Sequence, residues 1–146
     1  MTIYAVTNAT DAIFGLLSQD PVRPHIPHAD RIGENKEVFA YGDDPDKIKA
    51  ITCVSYQRSV PEGEVDLFLE CSDPEVAVFY TIWSYAPGAG RSLILDAVRY
   101  IREHNPNIRR FVTLSPKTDM ARRFHRNNGA VIYRENTETV NYEYLE

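Results

Sequence analysis

A long run of β-branched and aromatic residues, followed at once by a glycine turn and an amphipathic segment, constrains this chain most. Residues 76–85 (VAVFYTIWSY) predict a buried strand, and residues 86–90 (APGAG) predict a turn. From Arg91 onward, apolar residues recur at the spacing of one helix face: Leu93, Ile94, Ala97, Val98 and Ile101. The sequence therefore predicts a strand that passes through a glycine turn directly into a helix.

This geometry predicts an anion site at the helix N-terminus. The first turn of a helix leaves N–H groups without acceptors, and the helix dipole places positive charge there. Gly88 and Gly90 let a bulky anion approach the backbone closely. We expect the N–H groups of Gly88, Ala89, Gly90, Arg91 and Ser92 to bind a phosphate, with the Arg91 guanidinium as a further donor. The alternative is an ordinary strand-to-helix turn.

Composition and charge restrict the class of protein. The chain has 146 residues, of which 43% are hydrophobic and 25% charged, which is typical of one soluble globular domain over residues 1–146. The net charge of −5 argues against nucleic acid as the main ligand. The densest basic segment, around Arg122, Arg123 and Arg126, is interpreted as a solvated helix face.

Cysteines, histidines and hydrophobic segments give no sign of a metal, a membrane or export. Cys53 and Cys71 lack metal-ligand spacing; we expect free buried thiols in a reducing compartment, with a disulfide as the alternative. His25 and His28 lie in a proline-rich loop without a third ligand, so we expect surface residues and no metal. Residues 1–14 do not have the pattern of a signal peptide, and no apolar run approaches about 20 residues. We therefore expect a cytoplasmic protein.

The remaining segments predict an alternation of strands and helices. Asn8 or Thr10 is expected to cap a first helix, and residues 65–71 are ambiguous between a strand and a helical turn. The other predicted strands are residues 2–7, 37–41, 48–56, 108–114, 131–133 and 139–144, and residues 118–128 predict a second long helix that Asn128-Gly129 ends.

The order of these segments predicts an α/β (α+β) fold with a mixed sheet. The strands at 37–41 and 48–56 form a hairpin, whereas 76–85 and 108–114 are joined by a helix and are therefore expected to be parallel. We expect a central sheet of six to seven strands with helices on both faces. The last two strands could leave a sheet edge through which a homodimer forms.

Two motifs in this order resemble the GCN5-related N-acetyltransferase (GNAT) superfamily. Its acyl-CoA pyrophosphate motif, Gln/Arg-x-x-Gly-x-Gly/Ala, is similar to residues 85–90, although Tyr85 stands in place of Gln or Arg. Its late motif, Asn-x-x-Ala-x-x-Phe-Tyr-x-x-x-Gly-Phe, is similar to residues 118–130, in which Ala121, Phe124 and Gly129 agree. His125 occupies the position of the usual tyrosine.

The histidine points to a sub-branch. Residues 111–116 (FVTLSP) and 124–131 (FHRNNGAV) resemble two segments in the catalytic half of the malonyl-CoA decarboxylases, which use a serine and a histidine. The counterparts here are Ser115 and His125. Histidine suits proton transfer because its ordinary pKa is near ~6.5, and Ser115 follows the end of a parallel strand, where ligands bind in open sheets. The alternatives are a structural histidine and a strand-end turn residue.

The resemblance implies three functions. The leading one is an acyltransferase that moves an acetyl or other acyl group from CoA to the amine of a small molecule or protein. In it the strand N–H groups of Thr81, Ile82 and Trp83 polarise the thioester carbonyl and His125 protonates the leaving thiolate. A general base is not evident, and Glu64, Asp66 and Glu75 are weak candidates.

The second function implied is decarboxylation of a malonyl-CoA-type thioester, in which Ser115 orients the carboxylate and His125 protonates the carbanion. The third is a module that binds acyl-CoA without turnover.

Overall fold

The computed structural model describes residues 2–6 and 12–145. Within them, eight strands form one mixed sheet: β1 (Thr2–Val6), β2 (Lys36–Gly42), β3 (Ile48–Gln57), β4 (Val76–Ser84), β5 (Arg110–Thr113), β6 (Ser115–Pro116), β7 (Val131–Glu135) and β8 (Thr139–Tyr144). The α-helices are α1 (Ala89–His104) and α2 (Asp119–Asn127), and the 3-10 helices are Ala12–Gln19, His28–Arg31 and Glu64–Phe68.

The strands follow the order β1-β2-β3-β4-β5-β8-β6, and β7 pairs with β8. Neighbours from β1 to β4 are antiparallel, whereas β4 and β5 are parallel and joined through α1, as the sequence predicts. The count exceeds the predicted six to seven because the short strand β6 pairs separately with β8. Only β7 of the last two strands lies at an edge, since β8 is paired on both sides.

Helices cover both faces of the sheet, as predicted, but they differ in kind. Both α-helices lie on one face, where Leu93 and Ile94 of α1 pack with Phe39, Val54 and other buried strand residues. The opposite face is covered by 3-10 helices, which contribute Leu17 and Leu67 to a second buried cluster. Alternate side chains of each strand therefore enter two separate cores.

The structure resolves several local predictions. The first helix is a 3-10 helix, while its predicted caps Asn8 and Thr10, and the strand end Thr7, lie outside the described residues. Of the ambiguous segment 65–71, residues 65–68 take the helical alternative as part of the 3-10 helix Glu64–Phe68, and Leu69 is extended. Thr118 caps α2 by accepting the Ala121 N–H, and Gly129 follows the helix with a φ of 95°, which fits the predicted stop.

A bulge in β4 shapes the part of the sheet that matters for function. Cys53 lies opposite Thr81 and Val54 lies opposite Phe79, so Tyr80 is an extra residue in β4. The parallel pairing with β5 ends at Phe79, whose carbonyl accepts the Leu114 N–H at 3.1 Å. Beyond this point β6 pairs with β8, and a cleft opens beside the second half of β4.

No helix within the described residues has the length and apolar character needed to cross a membrane.

Candidate active site

The cleft has a volume of about 670 Å³, which suits a small-molecule site. Its walls are the second half of β4, the start of β6, one side of α2 and the segment at Pro21 and Val22. Among the predicted site residues, Thr81, Ile82, Trp83, Gly90, Ser115 and His125 line it. The cavity thus contains residues from both sequence motifs: Gly90 belongs to the glycine turn, and His125 belongs to the late motif.

The β4 wall is fixed by hydrogen bonds from behind. The Thr81 hydroxyl donates to Asp20 Oδ1 at 2.8 Å, and the Thr81 carbonyl accepts the Thr52 hydroxyl at 2.8 Å. Because β4 loses its β5 partner after Phe79, backbone groups on that side face the cleft. A thioester oxygen lying there would meet strand N–H groups held in a rigid wall.

A buried ion pair that the sequence reading missed supports this wall. Asp20 and Arg31 are fully buried and bond through Oδ2 and Nη1 at 2.7 Å. Asp20 Oδ1 also accepts the N–H groups of Val22 and Arg23 at 2.8 and 3.0 Å. Burial alone would raise the Asp20 pKa, but bonds from Arg23, Arg31, Thr81 and Val22 hold it below its ordinary value. Asp20 is therefore ionised and ties two cleft walls together.

Ser115 belongs to a hydroxyl pair. Its side chain is buried, and its Oγ donates to Thr113 Oγ1 at 2.8 Å. The Tyr142 N–H donates to the same Thr113 oxygen at 3.1 Å. If this bond is reversed, so that the Thr113 hydroxyl donates to Ser115 Oγ, the Ser115 proton is free to bind a ligand in the cleft. Thr113 is a second residue that the sequence reading missed.

His125 is held by aromatic residues of β8. It is 4% exposed, stacks on Tyr142 at 5.0 Å between ring centroids, and its Nδ1 lies 2.7 Å from the Tyr144 hydroxyl. Burial lowers the pKa of His125 to about 4, well below the ordinary histidine value. The imidazole is neutral at pH 7.

Tyr144 assigns different roles to the two ring nitrogens of His125. Burial raises the Tyr144 pKa above its ordinary value, so the phenol keeps its proton. When this hydroxyl donates to Nδ1, the imidazole proton lies on Nε2. Because Nδ1 is engaged, Nε2 is the nitrogen available to a ligand. The sequence predicts Tyr144 only as the last residue of the strand 139–144.

The glycine turn has the conformation that the sequence predicts, with fewer free donors. Gly88 precedes α1 with a φ of 78°, a left-handed conformation that favours glycine. The Ala89 N–H donates to the Ala86 carbonyl, and the Ser92 N–H donates to the Gly88 carbonyl, each at 3.2 Å. The first-turn N–H groups of Gly90 and Arg91 are left to point along the helix axis.

Gly90 and Arg91 also connect the two α-helices. A Cβ at Gly90 would lie 3.1 Å from the Phe124 ring, so glycine lets α2 pack against the start of α1. The Arg91 guanidinium donates to the Asn127 carbonyl at 3.1 Å, near the end of α2. Arg91 therefore contacts a helix terminus in addition to any role towards an anion.

Tyr85, which replaces the Gln or Arg of the superfamily motif, fastens the end of β4. Its hydroxyl accepts the Trp83 indole N–H at 2.9 Å and donates to Gln19 Oε1. The side chain thereby links β4 to the first 3-10 helix. It is directed away from the anion turn and towards the opposite face of the sheet.

The described residues that line the cleft include no carboxylate and no Lys or Arg. Glu64 instead bonds to His25 at 2.6 Å and lies 3.5 Å from Arg23, and Glu75 lines a separate cavity. Cys53 and Cys71 are both free, with Cys53 buried and Cys71 half-buried. The described part of the chain also contains no group of three or more His, Cys, Asp or Glu residues placed to hold a metal.

Comparison with solved structures identifies the architecture. Malonyl-CoA decarboxylase from Rhodopseudomonas palustris superimposes with a TM-score of 0.77 and 18% identity, over 98% of this chain and 59% of that one. The GNAT domain of PAT from S. lividans superimposes with a TM-score of 0.65 and 13% identity, over 97% of this chain and 88% of that one. The chain has a GNAT fold. The decarboxylase from Agrobacterium vitis gives a TM-score of 0.70 and 24% identity, over 84% of this chain and 35% of that one. An acetyltransferase from Bacillus subtilis in complex with CoA gives 0.61 and 12%, over 97% and 93%.

At 12–24% identity, these similarities concern the fold alone. The chain spans 35% to 60% of the length of the decarboxylase chains that it matches. No model of a known protein family matches the sequence, and no curated protein is significantly similar to it. The function therefore depends on the residues of the cleft itself.

Proposed function

We propose that the cleft binds the thioester end of an acyl-CoA and that the chain decarboxylates a malonyl-type thioester. The observation that carries this proposal is the meeting of Ser115 and His125 in one cleft without a carboxylate or a cation. Decarboxylation needs a place for the substrate carboxylate, stabilisation of an enolate and a proton donor. It needs no general base.

Binding of CoA is supported by the turn before α1. Gly88 has the left-handed conformation, and the N–H groups of Gly90 and Arg91 lie in the first helical turn. A pyrophosphate at this point would accept these N–H groups and face the positive end of the helix dipole. Gly90 also lines the cleft, so an acyl-CoA at this turn could extend its thioester towards His125.

The chemical step breaks the bond between the substrate Cα and its carboxylate. CO2 leaves, and the electron pair becomes an enolate whose negative oxygen accepts a strand N–H of β4. Because the Tyr85 N–H bonds to the Lys49 carbonyl and N–H groups alternate along a strand, those of Thr81 and Trp83 face β3 and that of Ile82 faces the cleft. The Ser115 hydroxyl orients the carboxylate before cleavage. An apolar cleft favours neutral CO2 over a localised carboxylate, because the charge is poorly solvated there.

Protonation completes the reaction. His125 Nε2–H donates its proton to Cα, a C–H bond forms, and the imidazole regains a proton from solvent. A neutral imidazole is a stronger acid than the α C–H of a thioester, so it can protonate the enolate. It is a much weaker acid than a thiol. The lowered pKa of His125 therefore fits decarboxylation better than protonation of a departing CoA thiolate.

Acyl transfer to an amine is the second candidate. Met120, on the α2 side of the cleft, is 77% exposed, so the cleft opens to solvent where an amine could enter. Attack of the amine on the thioester carbonyl would use the same strand N–H group. The amine would then have to lose its proton to water, because no described residue lining the cleft carries a carboxylate. The thiolate would have to take its proton from water as well.

A mass-spectrometric time course tests these functions. Malonyl-CoA and acetyl-CoA are each incubated with the protein in D2O, with and without a pool of amines. We expect acetyl-CoA with one deuterium in its methyl group to form from malonyl-CoA without any amine. His125→Gln is expected to lower kcat about 10²–10⁴-fold, whereas the exposed His104→Gln should leave it unchanged.

Two outcomes would contradict the decarboxylase. Formation of free CoA together with an acylated amine, with malonyl-CoA stable in the amine-free arm, would support transfer. Thermal stabilisation by both thioesters without consumption of either would support a binding module. Ser115→Ala is a further test in the incubation with malonyl-CoA alone. Loss of carboxylate orientation should reduce turnover of malonyl-CoA while acetyl-CoA binding is retained.

A further inference from the structure

A second cavity lies at the opposite end of the strands that form the cleft. It has a volume of about 530 Å³ and lies between the end of β3, the starts of β4 and β5, and β7. This volume is within the range of small-molecule sites. The chemistry proposed for the cleft does not use it.

The cavity concentrates positive charge on an acidic protein. Its charged lining residues are four arginines and two glutamates: Arg58, Arg109, Arg110, Arg134, Glu62 and Glu75. With the Glu143 carboxylate that pairs with Arg110 also counted, the four arginines and three glutamates leave an excess of one positive charge, whereas the whole chain has a net charge of −5. A cation cluster of this kind attracts small anions to one end of the sheet.

Two of the arginines are fixed by protein contacts. Arg110 donates Nε and Nη2 to Glu143, each at 2.8 Å, and its guanidinium lies 4.6 Å from the centroid of the Tyr133 ring. Arg134 donates Nε to Asn136 Oδ1 at 2.8 Å and Nη2 to a backbone carbonyl at 3.0 Å. Both leave Nη1 outside these bonds. Such pre-positioned guanidinium groups lose little entropy on binding a ligand.

The other two arginines are not neutralised by the protein. Arg58 and Arg109 are exposed, and within the described residues neither side chain forms a hydrogen bond or an ion pair. Arg109 is held in place through its backbone, since its N–H donates to the Glu75 carbonyl at 2.8 Å. Their guanidinium groups can therefore turn towards a ligand that enters between them.

We propose that this cavity binds a small anion with two or more phosphate groups. Guanidinium groups bind phosphate oxygens through paired N–H bonds, and two fixed plus two adjustable arginines match several oxygens at once. Glu62 and Glu75 on the lining restrict the positive area, which disfavours a long polyanion. The site is independent of acyl-CoA chemistry, because a different set of residues forms it.

The test is a titration with pyrophosphate followed by two-dimensional ¹H–¹⁵N NMR at constant ionic strength. We expect the amide signals of residues 58–60, 62, 75–76, 109–110 and 133–134 to shift with saturation. In Arg58→Gln/Arg109→Gln the affinity should fall at least about tenfold. Its melting temperature should match that of the wild type, since neither side chain has a bond to lose. The charge-matched control is Arg122→Gln/Arg123→Gln, which changes two exposed arginines of α2.

The positions of the shifted signals, the two double variants and the choice of anion decide the outcome. Shifts confined to residues 88–92 would place the anion at the helix turn alone and overturn the proposal. Equal weakening in both double variants would reduce the effect to net charge and also overturn it. A parallel titration with citrate distinguishes the chemistry, because tighter binding of citrate than of pyrophosphate would contradict a phosphate site.

Discussion

The two halves of β4 are held in the sheet by different kinds of contact. Residues 76–79 pair with β3 on one side and with β5 on the other, and their side chains are buried and apolar. Residues 81–84 keep the β3 pairing but border the cleft on the other side, and the bulge residue Tyr80 separates the two halves. There, Thr81 is held by the side chains of Asp20 and Thr52.

This difference shows how one strand can be both core and binding surface. In the first half, apolar burial and two hydrogen-bonded neighbours give rigidity. In the second half, one neighbour is absent, and a buried ion pair behind the strand replaces it. The charges of Asp20 and Arg31 are kept away from the cleft, whose lining is neutral. Rigidity is thus obtained without filling the space that a ligand needs.

The largest expected effect comes from removing the charge of Asp20. Asp20→Asn retains an oxygen for Thr81 and the backbone but leaves the Arg31 guanidinium buried without its partner. We expect a loss of about 3–5 kcal/mol in the free energy of unfolding, measured by urea denaturation. Adding Arg31→Met removes the stranded cation and should restore at least half of that loss. If Asp20→Asn alone had a free energy of unfolding within about 1 kcal/mol of wild type, the hydrogen bonds with β3 would suffice to hold the second half of β4.

His125, which faces the second half of β4, predicts a dependence of stability on pH. Its pKa is about 4 in the folded protein and near 6.5 when unfolded. Between these values the unfolded state binds a proton that the folded state does not, so stability falls as pH drops below about 6.5. From pH 7 to 4.5 the wild type should lose about 2.5 kcal/mol more than His125→Gln. The comparison of both proteins in urea at the two pH values cancels the titration of other groups. Equal losses of unfolding free energy in the two proteins would mean that water solvates the imidazole in the folded state.

The first half of β4 and α1 could be predicted because local patterns encode them. β-Branched and aromatic residues mark the strand, and apolar residues at helical spacing mark α1. The two-residue strand β6 has no such pattern, since Ser115 and Pro116 pair with β8 only because β8 passes beside them. The same holds for the 3-10 form of Ala12–Gln19, whose apolar spacing also fits an α-helix.

The cleft was partly predictable. The resemblance pointed to Ser115 and His125, and both line it. Asp20 was missed because its contact with Thr81 links distant parts of the chain, and the segment after it was interpreted only as a proline-rich loop. The neutral state of His125 depends on burial between α2 and β8, which no spacing of residues along the chain expresses.

The smallest expected effect concerns the turn that follows the second half of β4. Gly88 has a φ of 78°, and a Cβ there would meet no atom within 4 Å, so Gly88→Ala should act through backbone strain alone. We expect a loss of about 1–2 kcal/mol. The control is Gly63→Ala, because Gly63 has a φ of −145° and equally open surroundings. There, alanine should be neutral or stabilise the protein by about 0.4–1 kcal/mol. Equal changes in both variants, measured in urea, would mean that the turn relaxes to a conformation any residue adopts. The anion site before α1 would then lack a rigid frame.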